Sequence, residues 1–372
     1  MPSLSSPSDR PQTPAATSSI DDRERYSRQI LFPGIGEEGQ QKLGTSHVAI
    51  VGCGATGAAA ASLLARAGVG TLTLIDRDFV EPSNLQRQVL FDEKDALEML
   101  PKAEAARRKI AQFNSEVEVR PTVADLVPDN ISELLGDCHL ILDATDNFET
   151  RYLVNDFAVQ QGKPWIYAAA IGAYAATMNI LPRLGLEGGD PTTDNSWEPT
   201  ACLACLFPKP PFGPVETCDT SGILSTAVNL AASIQVTEAL KFLTGQHLLM
   251  RRSLLSFDLW TSERSEIGAT RPRAGCSVCD QREFTHLAGT GRPHITLCGR
   301  NSVQIHEHHR PVNFQAMRDR LAPHGEVRFN DLLLRFTRGP HTLTLFADGR
   351  AIVQGTTDIT VARTLYARFI GS

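Results

Sequence analysis

The chain has 372 residues and a formal net charge of −6, because 42 Asp and Glu outnumber 36 Lys and Arg. Hydrophobic residues make up 42% and charged residues 21%, a globular composition that excludes a wholly disordered, collagen-like or membrane-embedded chain. The acidic balance argues against binding to nucleic acid by broad neutralisation of phosphates, so we expect no nucleic-acid partner.

Residues 1–20 are rich in Ser, Pro, Thr and Ala and lack apolar periodicity, which predicts a disordered tail. They contain no basic stretch followed by an apolar core, so no secretory signal is visible. We therefore expect a cytoplasmic protein whose thiols stay reduced. From Asp21 onward, a charged pattern predicts one helix ending near Pro33 and a second short helix through Lys42.

The next part of the chain alternates between short apolar runs and helical patterns. The runs HVAIVG, TLTLID, EVEVRPT, HLILDATD and QGKPWIYAAA indicate strands, and KAEAARRKIAQF indicates one of the helices between them. This alternation predicts an α/β fold with a Rossmann-like, mostly parallel sheet and helices on both faces. A long helix predicted over 221–244 carries Asn229, Gln235, Glu238 and Lys241, which favours a core or interface helix over a membrane span.

The character of the chain changes again towards its end. The stretch LTLF-ADGR-AIV is typical of two strands joined by a hairpin turn. We therefore expect three parts: the tail over 1–20, a main domain over 21–284 and a small α+β accessory domain over 285–372.

A glycine-rich turn, GCGATG, joins the first predicted strand to a helix. Gly52, Gly54 and Gly57 permit a tight turn and a close approach of backbone to phosphate at the helix N-terminus. Asp76 ends the next strand, where a carboxylate can accept hydrogen bonds from ribose hydroxyls. On these residues alone, a nicotinamide oxidoreductase, an ATP-using enzyme and a helix-packing turn without a ligand all stay open.

Two later stretches favour a triphosphate. The segment SNLQRQ carries Asn84 and Arg87, and Lys102 begins a predicted helix. Such cations can neutralise the charge that develops when the α-phosphorus is attacked and pyrophosphate leaves. Asp146 and Asn147 follow a predicted central strand, at the sheet edge where ligands bind in this architecture. A carboxylate there can hold Mg²⁺ or cap the next helix.

Together these stretches resemble the MoeB/ThiF/HesA superfamily, the bacterial relatives of ubiquitin-activating enzymes. The motifs that carry the resemblance are RYSRQILFPGIGEEGQQKL, VAIVGCGATG, GVGTLTLIDRDFVEPSNLQRQ, PKAEAA, DATDN, CLACLFP, TCDTSGIL and GCSVC. The resemblance implies an adenylyltransferase that uses ATP and Mg²⁺ to activate the C-terminal glycine of a ubiquitin-fold sulfur carrier ending in Gly-Gly. Such MoaD-like or ThiS-like carriers serve molybdopterin-type or thiamine-type sulfur transfer. A homodimer and a sulfur-donor protein are implied as further partners.

The resemblance also implies roles for individual residues. Asp76 would hold the ribose, Asp146 would hold Mg²⁺, and Arg28 would reach across a dimer interface to the partner's ATP. The implied catalytic residues are Arg28, Arg87, Lys102, Asp146 and Cys218. The implied nucleotide-binding residues are Gly52, Gly54, Ala55, Gly57, Asp76, Ser83, Asn84, Leu85, Gln86, Arg87, Lys102, Asp146 and Asn147.

One residue departs from the family pattern. Family members commonly carry a second glycine where this chain has Ala55. The backbone N–H survives this exchange, so we expect nucleotide binding to persist if φ at Ala55 is negative.

The cysteines divide by position. Cys202/Cys205 and Cys276/Cys279 form two CxxC pairs, which predict a closed, structural Cys₄ zinc site; four idle thiols are the alternative. Cys218 stands where some family members bond the carrier's C-terminus, and both a nucleophile and an unused loop cysteine stay open.

Other interpretations of the whole chain also stay open. It could activate a small carboxylate or a modified tRNA nucleoside, or it could be a non-catalytic, zinc-stabilised nucleotide-binding scaffold. A nicotinamide oxidoreductase is the remaining alternative. The role of the accessory domain is open as well, and Cys298 is a residue there that could hold sulfur.

Overall fold

A computed structural model describes residues 21–183, 197–210, 221–289, 296–297, 302–305, 312–347 and 349–370. The predicted tail over 1–20, Cys218 and Cys298 lie outside these ranges. Within them, the chain forms two sheets, one of eight strands and one of six.

The main sheet is parallel in one part and antiparallel in the other. Its strands are β1 (His47–Val51), β2 (Thr71–Ile75), β3 (Glu118–Thr122), β4 (Leu140–Asp143), β5 (Trp165–Ile171), β6 (Tyr174–Ile180), β7 (Ser253–Asp258) and β8 (Glu263–Gly268). Their order is β3-β2-β1-β4-β5-β6-β7-β8; the first five are parallel and the last three continue the sheet antiparallel. The strand order reverses at β1, between β2 and β4, and such a switch point opens a ligand crevice at the carboxyl ends of the strands.

Helices cover both faces of this sheet, as the alternating pattern predicts. The helices of the main domain are α1 (Asp22–Arg25), α2 (Ser27–Ile30), α3 (Gly36–Gly44), α4 (Ala55–Ala67), α5 (Glu93–Leu97), α6 (Lys102–Phe113), α7 (Ile131–Leu135), α8 (Phe148–Gln161), α9 (Leu203–Leu206) and α10 (Ser225–Leu243). One face is buried against α4, α6 and α10, and the other against α7 and α8. The fold-class prediction is confirmed.

The N-terminal segment differs from its prediction. Instead of one helix ending near Pro33, two single-turn helices, α1 and α2, meet at Tyr26, whose φ of −97° and ψ of 6° are not helical. The Tyr26 side chain is buried and its hydroxyl accepts a hydrogen bond of 2.8 Å from Asn114 Nδ2. The helix breaks because this tertiary contact overrides the local helical pattern.

The long helix α10 is a core helix. Ala231, Ala232 and Ala239 are fully buried, and the helix packs on α4, β5 and β6. Gln235 is also buried, and its amide donates to the carbonyls of Asp143 and Ile166, so the polar residue ties α10 to two central strands. Among the described residues, no helix is long and apolar enough to cross a membrane.

The accessory part folds around the second sheet. Its strands are β9 (Thr296–Leu297), β10 (Ser302–Ile305), β11 (Glu326–Phe329), β12 (Leu333–Arg338), β13 (His341–Phe346) and β14 (Ala351–Gln354), and its helices are α11 (Phe314–Leu321) and α12 (Ile359–Phe369). β13 and β14 pair antiparallel, which confirms the hairpin predicted at ADGR. One face of the sheet packs on α11 and α12. The predicted boundary at 284/285 stays a prediction.

Candidate functional site

The glycine turn connects β1 to α4 as the sequence predicts. Gly52 has φ of +90°, a backbone conformation that favours glycine, and a Cβ there would stand 2.7 Å from the Ala144 carbonyl oxygen. Gly54 precedes α4, and Ala55 is the first helical residue, so its φ is negative. Ala55 therefore has the negative φ that we expect to be compatible with nucleotide binding.

Gly57 has a packing role within the same turn. A Cβ at this position would overlap the carbonyl oxygen of Gly52, a backbone atom that cannot move aside. We expect Gly57→Ala to destabilise the fold by about 1–3 kcal/mol and to abolish nucleotide binding, as measured by thermal unfolding and calorimetry. Gly44→Ala is the matched control, because no atom lies within 4 Å of a Cβ there; equal stability of the two variants would contradict this role.

Asp76 holds the glycine turn in place. Its two carboxylate oxygens accept hydrogen bonds from the backbone N–H groups of Cys53, at 2.6 Å, and Asp78, at 2.7 Å. Burial raises the pKa of the Asp76 carboxyl, and the nearby Lys102 ammonium opposes that rise. Cys53 itself is fully buried in the core, as expected of a small packing residue.

Lys102 lies at the first position of α6 and is almost fully buried. Its Nζ is 3.1 Å from Asp78 Oδ2, and its backbone N–H donates to the Asp78 carbonyl. A buried ammonium is costly without a partner, and the Asp78 carboxylate supplies that partner inside the site.

In the stretch after β2, some side chains line the cavity and others stabilise the local backbone. Arg87 and Gln88 line the main cavity; Arg87 donates to the Ser83 carbonyl, and the buried Gln88 Oε1 has no hydrogen-bond partner among the described residues. Asn84 is buried, and its Oδ1 accepts from the Glu81 N–H. The predicted contacts of Asn84 with phosphate and of Ser83, Leu85 and Gln86 with nucleotide stay predictions, since these four side chains do not line the cavity.

In the loop after β4, Asn147 and Asp146 differ in the two roles that the sequence left open, capping of the next helix and binding of a metal ion. Asn147 is the helix N-cap, with its Oδ1 accepting from Thr150 N at 2.9 Å. Asp146 is exposed, lines the main cavity, and makes no hydrogen bond or ion pair within the described chain. Its carboxylate is therefore available for a cation.

Arg151 on α8 holds the loop after β4 in place. Its guanidinium donates to the Thr145 carbonyl at 2.6 Å and lies 3.3 Å from Asp143 Oδ2, and it stacks over the Tyr167 ring. Burial raises the pKa of Asp143, and the Arg151 charge opposes that rise. Arg151 therefore holds the backbone next to Asp146 in one conformation.

These side chains converge on one cavity of about 880 Å³ at the carboxyl ends of the parallel strands. A volume of this size is in the range of ligand sites. Of the residues predicted from the sequence, the lining includes Gly52, Gly54, Ala55, Asp76, Arg87, Lys102, Asp146 and Asn147.

The cavity continues along the antiparallel part of the sheet. Tyr174, Leu254 and Ile267 form an apolar wall there; Tyr174 and Ile267 are exposed, and the Tyr174 hydroxyl donates a hydrogen bond of 2.8 Å to Ser256 Oγ. The polar end at the glycine turn thus opens into an apolar groove over β6, β7 and β8.

Several polar side chains of the lining were not predicted from the sequence, among them Arg77, Gln88 and Arg151. Arg77 forms an ion pair with Asp125 at 3.0 Å, and Gln88 and Arg151 are buried. A signal existed for two of them: Gln88 ends the SNLQRQ stretch, and Arg151 lies one helical turn after Asn147, on the same side of α8.

The four cysteines of the two CxxC pairs form one cluster. Their Sγ atoms all lie within 4.8 Å of one another, and the nearest pairs are 3.4 to 3.8 Å apart. Four thiolates at about 2.3 Å from a tetrahedral zinc ion would be about 3.8 Å apart, so the cluster fits zinc. Arg273 N donates to Cys205 Sγ, and Leu203 N donates to Asn155 on α8.

Arg28 on α2 is exposed and does not line the cavity of its own chain. The nearby Leu31 and Phe32 are 71% and 61% exposed. Cys218 lies outside the described residues.

Comparisons with known proteins place these features in one family. The sequence profile described as the ThiF family matches residues 26–278. The chain is 43% identical over 351 residues to the sulfur carrier protein ThiS adenylyltransferase of Bacillus subtilis (strain 168), covering 93% of this chain and 99% of that protein. It is 36% identical to the sulfur carrier protein adenylyltransferase of Thermus thermophilus, covering 69% and 90%. It is 37% identical to the adenylyltransferase and sulfurtransferase MOCS3 of Sus scrofa, but covers 56% of that protein.

Among solved structures, the fold is similar to that of Escherichia coli MccB. The structure of MccB with ATP has a TM-score of 0.56 and 24% identity, and the alignment covers 68% of this chain and 74% of MccB. At this identity, the likeness shows a shared fold.

Proposed function

The chain belongs to the ThiF family and is an adenylyltransferase, and from that premise we propose that it joins AMP from ATP to the C-terminal glycine of a ubiquitin-fold sulfur carrier. ThiS-type carriers are the favoured substrate, because the similarity to a ThiS adenylyltransferase covers 93% of this chain and 99% of that protein, whereas the similarity to MOCS3 covers 73% and 56%. Carriers of this kind end in Gly-Gly.

The shape of the main cavity is the observation that carries this proposal. Its polar end combines the glycine turn with Lys102, Arg87 and Asp146, and its other end is the apolar groove over β6, β7 and β8. A nucleotide at the polar end would leave the groove open for an extended peptide tail. One site could thus hold ATP and a protein terminus together.

The reaction needs charge neutralisation more than it needs a base. The glycine carboxylate is ionised near neutral pH and attacks the α-phosphorus, forming an acyl-phosphate bond as the bond to pyrophosphate breaks. Lys102 and Arg87 would oppose the negative charge that develops on the phosphates. Positioning of the two anions by the glycine turn supplies the rest.

Two metal ions belong to the proposal. Mg²⁺ would be held by Asp146, whose carboxylate lines the cavity and makes no hydrogen bond or ion pair within the described chain; Arg77 and Arg151 interact with it at longer range through their charges. Zn²⁺ would be held by Cys202, Cys205, Cys276 and Cys279, and four thiolates leave no open position for catalysis, so its role is structural.

A homodimer would complete the site. Arg28 is exposed beside the exposed Leu31 and Phe32, and a second copy covering these apolar residues would be able to receive Arg28 in its own cavity. A sulfur-donor protein would act after adenylylation, and Cys218 would be able to bond the activated carrier. Cytoplasmic location is part of the same proposal.

Exchange of labelled pyrophosphate into ATP tests the function. The purified chain is assayed with a ThiS-type carrier, with the same carrier lacking its last glycine, and without carrier. We expect exchange with the intact carrier alone. Exchange with a small carboxylate or a tRNA in place of the carrier would support the alternative substrates, and the absence of exchange with every substrate would contradict the proposal.

The role of Asp146 is tested separately. We expect Asp146→Asn to lower the exchange rate about 100-fold and to raise the Mg²⁺ concentration that the reaction needs. Glu149→Gln is the matched control, because Glu149 is exposed nearby on α8 but does not line the cavity. If both variants follow the wild-type Mg²⁺ dependence, Asp146 does not hold the metal.

A further inference from the structure

We propose that the accessory domain positions the nucleotide site, with Leu333, Phe346 and Ile352 acting as positioning residues for Lys102 through Phe79 and Met99. This inference rests on the proposed function, because it concerns the same cavity. Neither the family match nor the relatives' names assign a role to these residues.

The accessory sheet has two apolar faces. Along β14, Ala351 and Val353 belong to the core with α11 and α12, whereas Ile352 between them belongs to a different cluster. This second cluster joins Leu333, Phe346 and Ile352 to Phe79 and Met99 of the main domain. All five are at most 9% exposed, so the two domains share a small closed apolar contact.

Polar contacts surround this apolar contact. The Arg335 guanidinium lies 5.4 Å from the centre of the Phe79 ring. Asn330 Nδ2 donates to the Glu98 carbonyl at 2.8 Å, and Arg350 donates to the Val123 carbonyl at 3.2 Å. The accessory domain therefore touches three segments of the main domain: the chain after β2, the chain before α6 and the chain after β3.

The first two of these segments carry the cavity's buried ion pair. Phe79 and Pro101 form an isolated antiparallel bridge, Val80 N donates to the Leu100 carbonyl, and Lys102 N donates to the Asp78 carbonyl. The Lys102 and Asp78 side chains then pair across the same two segments. Of the two main-domain residues in the shared apolar cluster, Phe79 is thus next to Asp78 and Met99 is three positions before Lys102.

Met99 is the residue through which the accessory sheet contacts the segment before α6. Its φ is +52°, and the hydrogen bonds from Met99 N to the Ala96 carbonyl and from Leu100 N to the Asp95 carbonyl are those of a Schellman turn at the end of α5. This local helix end accounts for the left-handed conformation. The Met99 side chain is buried in the interdomain cluster, so the accessory sheet covers the turn that leads into Lys102.

The test uses two neighbouring residues of β14 that face opposite sides. Ile352→Ala removes contact with the main domain, and Val353→Ala removes contact with α11 and α12 only. Calorimetry in the absence of carrier measures the Kd for ATP of the full-length chain, and thermal unfolding measures stability. We expect Ile352→Ala to raise this Kd about tenfold, Ile352→Val to restore most of the affinity, and Val353→Ala to lower the unfolding temperature at unchanged Kd. Equal Kd values for Ile352→Ala and Val353→Ala would overturn the inference.

A double-mutant cycle confirms the route of the effect. If Ile352 acts through Phe79, the double variant Phe79→Ala/Ile352→Ala has about the Kd of one single variant; independent effects would multiply instead and would contradict the route. Should Ile352→Ala fail to fold, Arg335→Met serves with Arg338→Met as its control, because Arg338 lies over Phe369 of the accessory domain itself. The first is expected to weaken ATP binding and the second is not, and equal affinities would overturn the inference. The carrier-dependent exchange of the wild-type chain reports separately on the proposed function.

Discussion

Lys102→Ala is expected to slow ATP–pyrophosphate exchange about 100- to 1,000-fold. Lys102 is 2% exposed and lines the polar end of the cavity, where its charge opposes that of the phosphates as pyrophosphate leaves. Because Lys102 is hardly exposed, water screens its charge less, and it stabilises the phosphates more strongly than the charge of a surface lysine would. Steady-state exchange rates with saturating carrier measure the loss.

A loss of exchange in Lys102→Ala has to be distinguished from misfolding, because removal of Lys102 leaves the Asp78 carboxylate without its buried partner. We therefore expect Lys102→Ala to lower the unfolding temperature, and Lys102→Ala with Asp78→Asn to recover stability but not exchange. Lys109→Ala is the matched control on the same helix, since Lys109 pairs with Asp92 and Asp95 outside the cavity. Recovery of exchange in the double variant would show that the ion pair serves stability alone.

Loss of one cluster thiolate is expected to have the largest effect on stability. Cys276→Ser should release the bound metal and destabilise the main domain by about 3–5 kcal/mol, which corresponds to roughly 10 °C in unfolding temperature for a domain of this size. The reason is that metal affinity contributes directly to folding. Elemental analysis and thermal unfolding measure the two changes.

Cys138→Ser provides the control for this experiment. Cys138 is buried like Cys276, but its Sγ donates to the Leu135 carbonyl and lies outside the cluster. We expect this variant to keep one zinc ion per chain. Purified wild-type protein that contains no zinc, and that does not change on chelation, would show that the four thiols serve packing only.

The parallel half of the main sheet could be predicted from the sequence because β1, β4 and β5 are largely apolar, and β2 and β3 belong to stretches in which apolar residues alternate with others. In the antiparallel extension, the stretch SLLSFDL predicts a strand at β7 (Ser253–Asp258). β8 (Glu263–Gly268) is exposed along its whole length and reads ERSEIG, so it carries no apolar pattern for a sequence to show. Its pairing with β7 is decided by the sheet edge that β7 offers.

Some residues of the site can likewise be predicted from the sequence and others cannot. Gly52, Asp76 and Asp146 are predictable because a strand end fixes where each lies. Arg151 is not, because an arginine on a helix is usually exposed, and its burial depends on the Asp143 carboxylate and the Tyr167 ring reaching it from other elements. Asn84 shows the opposite case: its residue type suits phosphate, its amide oxygen caps a turn, and its contact with phosphate stays a prediction.

Intact-mass analysis of the carrier after incubation with this chain and ATP tests the central claim most directly. We expect a carrier that gains one AMP, with fragmentation placing it on the terminal glycine and hydroxylamine removing it. Addition of AMP to another carrier residue, or to this chain itself, would contradict the account.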